Sequence, residues 1–380
     1  MKVFLTALYA QIFLNAYIFW RGYQALPPGK TVRIPFILIF AVELSLYFTG
    51  YIFHKDLPDT FMYLILLICN TWYIASLYIA MGLIALEVTR FILRRCSGSY
   101  GLKVLSAYTL HKSRIKLSLF IIFIAVVTGL MVNGYGNAVN PVVRYVDVRI
   151  SKPLQDREQL TVAMMSDLHI GEFVGKKNVQ RFVELCNAEH PDMVIINGDI
   201  IDYESRQAEQ WHIEDDLQQL RAPLGVYLTL GNHEYRANRM AKIRWLNKTG
   251  GILLKDSVVL PDSTFYLIGR DDAINRKRAS LETLLKGVDM SKPVIVIDHQ
   301  PGAAREVIDN QCDLGLFGHT HNGQYWPAPL LLKLAFEFPY GYYVENDTHL
   351  YVSSGIGFAG QPYRIGTRSE LVVLRITGRR

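Results

Sequence analysis

The sequence predicts a four-layer α/β sandwich, helix–sheet–sheet–helix, preceded by an N-terminal bundle of four transmembrane helices. Three observations carry this. Hydrophobic residues make up 50% of the 380-residue chain, and the apolar excess lies before residue 135. Beyond that point, short β-branched runs alternate with amphipathic stretches, the pattern of βαβ units. Asp, His and Asn recur just after several of those runs, where α/β sheets place their ligands.

Four apolar stretches, at about residues 3–20, 34–53, 61–86 and 117–133, each approach the ~20 residues a helix needs to cross a bilayer. Gln11, Asn15, Glu43 and Asn70 interrupt them and are expected to face the bundle, Glu43 with a hydrogen-bond partner there. No small-residue cleavage site precedes Arg21, which argues against a signal peptide. The loop 87–116 holds Arg90, Arg94, Arg95, Lys103, Lys112, Arg114 and Lys116 against the single acid Glu87. The loop 21–33 holds Arg21, Lys30 and Arg33, whereas 54–60 sets Lys55 against Asp56 and Asp59. The positive-inside rule then places the first and third loops in the cytoplasm, and everything after residue 135 outside, as a multi-pass protein of the cell (inner) membrane. The formal charge of +6 is accounted for by the third loop, so membrane topology explains it and nucleic acid is not indicated as a partner. The expected domains are 1–135 and 139–380. Gly, Asn and Pro in the linker 134–141 (GYGNAVNP) are expected to break the last membrane helix.

Strands are expected at 142–150, 160–166, 193–197, 225–230, 264–269, 293–297, 313–317, 349–354 and 370–376. Helical patterns lie at 176–190, with Val179, Phe182, Val183 and Cys186 on one face, and at 205–220, 280–287 and 302–310. The early strands read as one βαβ-built sheet and the later ones as a second, mostly antiparallel sheet. Cys186 on a helix and Cys312 before a strand are expected as two buried thiols, and the absence of a C-x-x-C pair speaks against a zinc knuckle.

Five short motifs follow the strand runs in fixed order: Asp167-x-His169, Gly198-Asp199 with Asp202, Gly231-Asn232-His233-Glu234, His299, and Gly318-His319-Thr320-His321. Asp, His and Asn supply oxygen and nitrogen ligands to divalent metals. Gathered at one sheet edge around a shared carboxylate, they can hold two ions, which acidify a water and clamp a phosphoryl group. A spacing of two puts Asp167 and His169, and likewise His319 and His321, on the same side of an extended chain. Glu234 is expected to hydrogen-bond within its loop. Arg270 reads either as a phosphate contact or as half of a structural ion pair.

The order D-x-H, G-D-x-x-D, G-N-H-E, H, G-H-x-H resembles the calcineurin-like metallophosphoesterase superfamily over about residues 139–377, in the flavour of bacterial membrane-associated members. The resemblance implies the sandwich fold and two divalent ions (Mn, Fe or Zn). It assigns Asp167, His169, Asp199 and His321 to the first ion, and Asp199, Asn232, His299 and His319 to the second. His233 is then the general acid and Asp202 the residue that orients it. Two positions depart from the usual pattern: Asp298 precedes His299, and Asn322 follows His321.

The expected activity is that of a membrane-anchored, metal-dependent phosphoric ester hydrolase, of phosphodiesterase, phosphatase or pyrophosphatase type. Attachment to the bilayer favours a lipid-linked phosphoester or pyrophosphate as substrate. The apolar segment 326–343 (WPAPLLLKLAFEFPYGYY) reads either as a helix dipping into the membrane or as a core-packing excursion. Two other functions stay open: an anchored hydrolase of small soluble phosphoesters or nucleotides, and a non-catalytic metal-binding membrane sensor. The intact ligand set argues against the sensor.

Overall fold

Four long helices open the chain: α1 (Lys2–Ala25), α2 (Lys30–Ile52), α3 (Asp59–Cys96) and α4 (Lys112–Val139). The computed structural model describes residues 2–53, 57–96, 106, 108–155 and 157–379, of which 2–10, 51, 59 and 96 by backbone only. Among the described residues three segments are long and apolar enough to cross a membrane: 30–50, 60–95 and 112–139. The first of the four expected spans falls on α1, a 24-residue helix whose side chains at 2–10 lie outside the described residues. Lys55, Asp56 and Lys103 of the loop-charge pattern also lie outside them. The chain divides into two compact units, Met1–Val132 and Asn133–Arg380.

Inside the first unit the polar side chains find one another. Trp72 Nε1 donates to Asn15 Oδ1 at 2.7 Å, Asn15 Nδ2 lies 3.4 Å from Glu43 Oε2, and Gln11 Nε2 lies 3.4 Å from Ser76 Oγ. Glu43 thus has the bundle partner expected of it.

The expected helix break at 134–141 is corrected. Helix α4 runs through Gly134 and Gly136 and stops at Val139, two residues before Pro141. Proline disfavours helical backbone at the preceding residue, so it is the proline rather than the glycines that ends the helix. Gly134 serves close packing instead. A Cβ there would lie 2.7 Å from Ile365 Cγ1, and its carbonyl accepts the Arg364 amide at 2.8 Å.

The second unit contains two six-stranded sheets. One is ordered β1 (Val142–Arg149), β12 (Glu370–Thr377), β2 (Leu160–Ser166), β3 (Met193–Asn197), β4 (Val226–Thr229), β5 (Ile252–Leu253). The other is ordered β10 (Gly341–Glu345), β11 (Thr348–Val352), β9 (Leu314–Phe317), β8 (Val294–Ile297), β7 (Tyr266–Gly269), β6 (Ser257–Val259). The strands are near-continuous apolar runs because both faces are covered. Leu160, Val162 and Met164 of β2 meet Ile295, Ile297, Leu314 and Leu316 of the other sheet in a shared apolar layer. The alternate residues Ala163 and Met165 face outward onto Phe182 and Cys186 of α5 (Lys176–Ala188). Val294 and Val296 face the other way, onto Leu281 of α9 (Leu281–Leu284) and Val307 of α10 (Ala304–Asp309). Helices therefore flank both sheets.

The second sheet is not mostly antiparallel, as its sequence suggests. β7, β8, β9 and β11 are mutually parallel, and only the edge strands β6 and β10 pair antiparallel. The short helices α9 and α10 link β7 to β8 and β8 to β9, and such crossovers make neighbouring strands parallel. The expected helix 205–220 is broken into α6 (Arg206–Gln210) and α7 (Ile213–Leu217) by His212 in left-handed backbone at φ 48°. Cys186 and Cys312 are buried free thiols in different apolar layers, on the outer faces of opposite sheets.

Candidate metal centre

Strands β2, β3, β4, β8 and β9 all end at one edge, and the chain turns sharply after each. Asp167, His169, Asp199, His319 and His321 all adopt positive φ, between 48° and 72°. Such backbone costs of order 1 kcal/mol per residue and clusters at functional sites. Asp167 and His169 therefore do not meet through an extended chain, as their spacing suggests. Tight left-handed turns swing both inward, bringing His169 Nε2 to 3.9 Å from Asp167 Oδ1.

The turns need small residues beside them. A Cβ on Gly231 would lie 2.3 Å from Asp199 Oδ1, and one on Gly318 would lie 2.5 Å from Asp167 Oδ2. Glu234 fastens two turns together as expected. Its Oε1 accepts the amides of Ile200 (2.9 Å) and Ile201 (3.0 Å), and its Oε2 those of Asp199 (2.9 Å) and Gly231 (2.7 Å). Lys242 of α8 (Arg239–Leu246), buried at 0% exposure, donates to His233 O at 2.6 Å and holds the same loop from behind.

The side chains so placed form three adjoining clusters able to hold a metal ion: Asp167 with His169 and His321, His169 with Asp199 and His233, and Asp199 with His299 and His319. Asp199 belongs to two of them. Its Oδ2 lies 3.2 Å from His299 Nε2, 3.8 Å from His169 Nε2 and 3.9 Å from His233 Nε2. His321 Nε2 is 3.4 Å from Asp167 Oδ1 and 3.0 Å from His169 Nε2. On the other side Asn232 Oδ1 lies 2.8 Å from His319 Nδ1. All seven residues expected as ligands are gathered here.

Three observations show that divalent cations fit. First, Asp167 and Asp199 are fully buried, and their only ion-pair partners among the described residues are histidines. Buried carboxylates demand compensating positive charge. Second, the electrostatics show that demand. Burial opposes charge on His299, yet Asp199 and Asp167 raise it well above the usual imidazole range. Burial likewise opposes charge on His169, but its bond to Asp202 and the nearby Asp199 raise it. Burial works against the Asp199 carboxylate, and His299, His169 and His233 nevertheless hold it well below its ordinary value. By contrast burial, with His299 beside it, lowers His319, and burial with His169 and Arg364 lowers His321 further. Third, His299 Nδ1 meets Asn197 O at 3.0 Å, which fixes the proton on Nδ1, while its buried Nε2 makes no hydrogen bond and points inward. A ring held through Nδ1 by a backbone carbonyl, with Nε2 left to exchange its proton for an ion, is the usual arrangement of a metal-binding imidazole.

His233, a member of the second cluster, also pairs with Asp202. Asp202 Oδ1 lies 2.9 Å from His233 Nδ1 and 3.1 Å from His169 Nδ1, and Asp202 O lies 2.8 Å from His233 Nδ1. Burial works to raise Asp202, but its bonds to the two rings outweigh that and lower it. The His233 side chain is 11% exposed, against 0% for His299 and 1% for His169.

Arg270 is 2% exposed, with Nη1 3.2 Å from Asp298 and 2.9 Å from Glu306, so its structural reading holds. Asp298 turns away from the site to Arg278 Nη1 at 2.9 Å, and burial pushes its carboxyl up to about 6 despite both arginines. Asn322 is left-handed at φ 48°, its amide 3.3 Å from Thr320 Oγ1. Sequence reasoning missed Arg364. It is fully buried, donates through Nη1 to His321 O at 3.1 Å, and places Nη2 3.1 Å from the ring Nδ1 while donating to the carbonyls of Ser354 and Gly357. It lies in an irregular segment outside every motif, so no periodicity or spacing marks it.

Residues 160–323 match the family described as calcineurin-like phosphoesterase. A transmembrane protein with metallophosphoesterase domain from Danio rerio is 34% identical over 259 residues, covering 64% of this chain and 59% of that protein. A Helicobacter pylori metallophosphoesterase is 34% identical over 225 residues, covering 58% of this chain and 60% of its own length. For both, the chain spans less than two thirds of the relative. A Campylobacter jejuni metallophosphoesterase is 28% identical over 374 residues, 96% of each chain. Through residues 160–323 the chain belongs to the calcineurin-like metallophosphoesterase superfamily.

Proposed function

We propose that this chain is a membrane-anchored phosphoesterase with two divalent ions at the sheet edge, cleaving a phosphoester or pyrophosphate bond in a lipid-linked substrate. The observation that carries the chemistry is the pair of buried carboxylates whose only ion-pair partners among the described residues are histidines. Asp167, His169, Asp199 and His321 would hold one ion, and Asp199, Asn232, His299 and His319 the other, with Mn, Fe and Zn all compatible with nitrogen and oxygen ligands. Such ions, when bound, neutralise the phosphoryl oxygens and acidify a water. Asp202 keeps the His233 proton on Nδ1 in the neutral ring, or stabilises the doubly protonated one. Only the doubly protonated ring carries a proton on Nε2, and in that form His233 delivers it to the departing oxygen, leaving the neutral ring with its proton on Nδ1 beside Asp202. Arg364 and Asn197 hold His321 and His299 so that neither ring reorganises during the reaction.

The lipid reading rests on α11 (Ala328–Ala335), which begins seven residues after His321 and has no buried residue. Leu330, Leu331 and Leu334 are 54%, 62% and 86% exposed. That stands against the core-packing reading of this stretch and supports an amphipathic helix lying in a bilayer interface. The membrane-length helices support anchoring, and the charged loops support a catalytic unit on the outer side of the inner membrane.

The test uses the full chain with Mn²⁺, assayed against a soluble aryl phosphodiester and against phospholipids and lipid pyrophosphates in mixed micelles. Hydrolysis that disappears in Asp199→Asn is expected. Hydrolysis that persists in that variant, or none by the metal-loaded protein on any substrate, overturns the reading. Turnover confined to soluble esters supports the anchored soluble-substrate hydrolase instead.

A further inference from the structure

The first unit contains a cavity that the proposed chemistry does not use. It has a volume of about 410 Å³, is partly open to the outside, and is lined by residues from all four helices, α1 to α4. Its walls are apolar and aromatic, with Phe36, Phe40, Phe120 and Phe123 among them. Along α3 it reaches from Trp72 to Arg90, 18 residues apart, or about 27 Å at ~1.5 Å per residue. A slot of that length and lining suits an extended hydrocarbon chain.

One end of the slot is cationic. Arg21 near the end of α1, Arg90 near the end of α3 and Lys116 near the start of α4 all line it, and no Asp or Glu does. A single carboxylate behind them, Glu87, is shared: its Oε1 lies 2.5 Å from Arg21 Nη2 and 3.2 Å from Arg90 Nη1. Lys116 makes no ion pair among the described residues. Three cations against one acid leave a surplus of two positive charges at the mouth of an apolar slot. Surplus positive charge at an apolar mouth attracts an anion, and guanidinium groups match phosphate oxygens in geometry.

We propose that the membrane bundle holds one anionic phospholipid, its phosphate between Arg21, Arg90 and Lys116 and an acyl chain in the slot between the four helices. The occupant is a lipid rather than a free phosphate because the cationic mouth opens into apolar walls. Lining by all four helices distinguishes the site from the general lipid shell. This site is independent of the metal centre and does not rest on the proposed hydrolysis.

The experiment is native mass spectrometry of the full chain released from phosphatidylglycerol-containing and phosphatidylcholine-only nanodiscs. Four proteins are compared: wild type, Arg90→Gln with Lys116→Gln, Leu83→Trp, and Arg94→Gln with Arg95→Gln. Leu83 lines the slot, so the tryptophan fills it with all charges intact, while Arg94 and Arg95 do not line it. The expectation is one phosphatidylglycerol retained per wild-type chain and per Arg94/Arg95 variant, with roughly tenfold weaker retention after loss of the two cavity cations. Leu83→Trp should lose the lipid as well, and decides the question if the Arg90/Lys116 variant does not fold. Equal retention in wild type and Leu83→Trp, or equal retention of the two lipids by wild type, overturns the proposal.

Discussion

Asp199 is the residue on which the site's charge balance turns. Its depressed carboxyl stabilises the folded state above the ordinary carboxylate pKa of about 4, and that contribution is lost as pH falls. His299 is the reverse case: raised in the fold, it stabilises below the ordinary imidazole value of about 6.5, and the contribution fades as pH rises through its elevated pKa. The metal-free protein should therefore gain most from this pair between about pH 4 and 6.5. Metal needs the same imidazole nitrogens unprotonated, so the rise in Tm on adding Mn²⁺ should be larger at pH 8 than at pH 5.5, as measured by differential scanning fluorimetry. An equal rise at both would show that the ion does not compete with these protons. His233 makes a separate prediction. His233→Ala should keep metal content by elemental analysis and lower turnover by about 10²- to 10⁴-fold, the usual worth of general acid catalysis. Near-normal turnover would remove it from the role. The proposed ligand residues were legible in sequence because each follows a strand run within a short motif. The geometry that aims them was not: nothing in D-x-H announces that both residues adopt left-handed backbone. Nor does any motif mark Arg364, whose meaning comes from burial and four carbonyl or ring contacts.

At the scale of elements, α11 is the feature with the clearest consequence. Leu331→Glu with Leu334→Glu should leave hydrolysis of a soluble aryl ester unchanged and lower turnover of a vesicle-borne substrate at least several-fold, since charge is expelled from an interface that favours leucine. Equal loss on both substrates would point to damage at the metal centre instead. The same scale explains which elements could be read in advance. Buried strands such as MVIIN and VIVI announce themselves as short apolar runs. The parallel order of the second sheet did not, because its connecting helices α9 and α10 are only four and six residues long. β5 and β6, two and three residues long, carry no period to detect. The end of α4 was misplaced because Gly134 and Gly136 look like breakers, whereas their lack of a Cβ serves packing on Ile365 or simply goes unpunished in a long apolar helix.

For the whole molecule, the loop charges make an orientation prediction. A periplasm-active reporter such as alkaline phosphatase, fused after residue 380, should be active, and a cytoplasm-active one silent; the opposite pattern would invert the topology. The continuity of α4 has a further consequence. The helix reaches Val139 and β1 begins at Val142, so only two residues, spanning at most about 10 Å, separate a membrane-length helix from the first sheet. On the proposed membrane-anchored reading, so short a connection keeps the second unit tethered to the membrane plane. For a substrate resident in that plane, the rate would follow its mole fraction among the surrounding lipids, and diluting it with inert lipid would slow the reaction even with the total amount of substrate held constant.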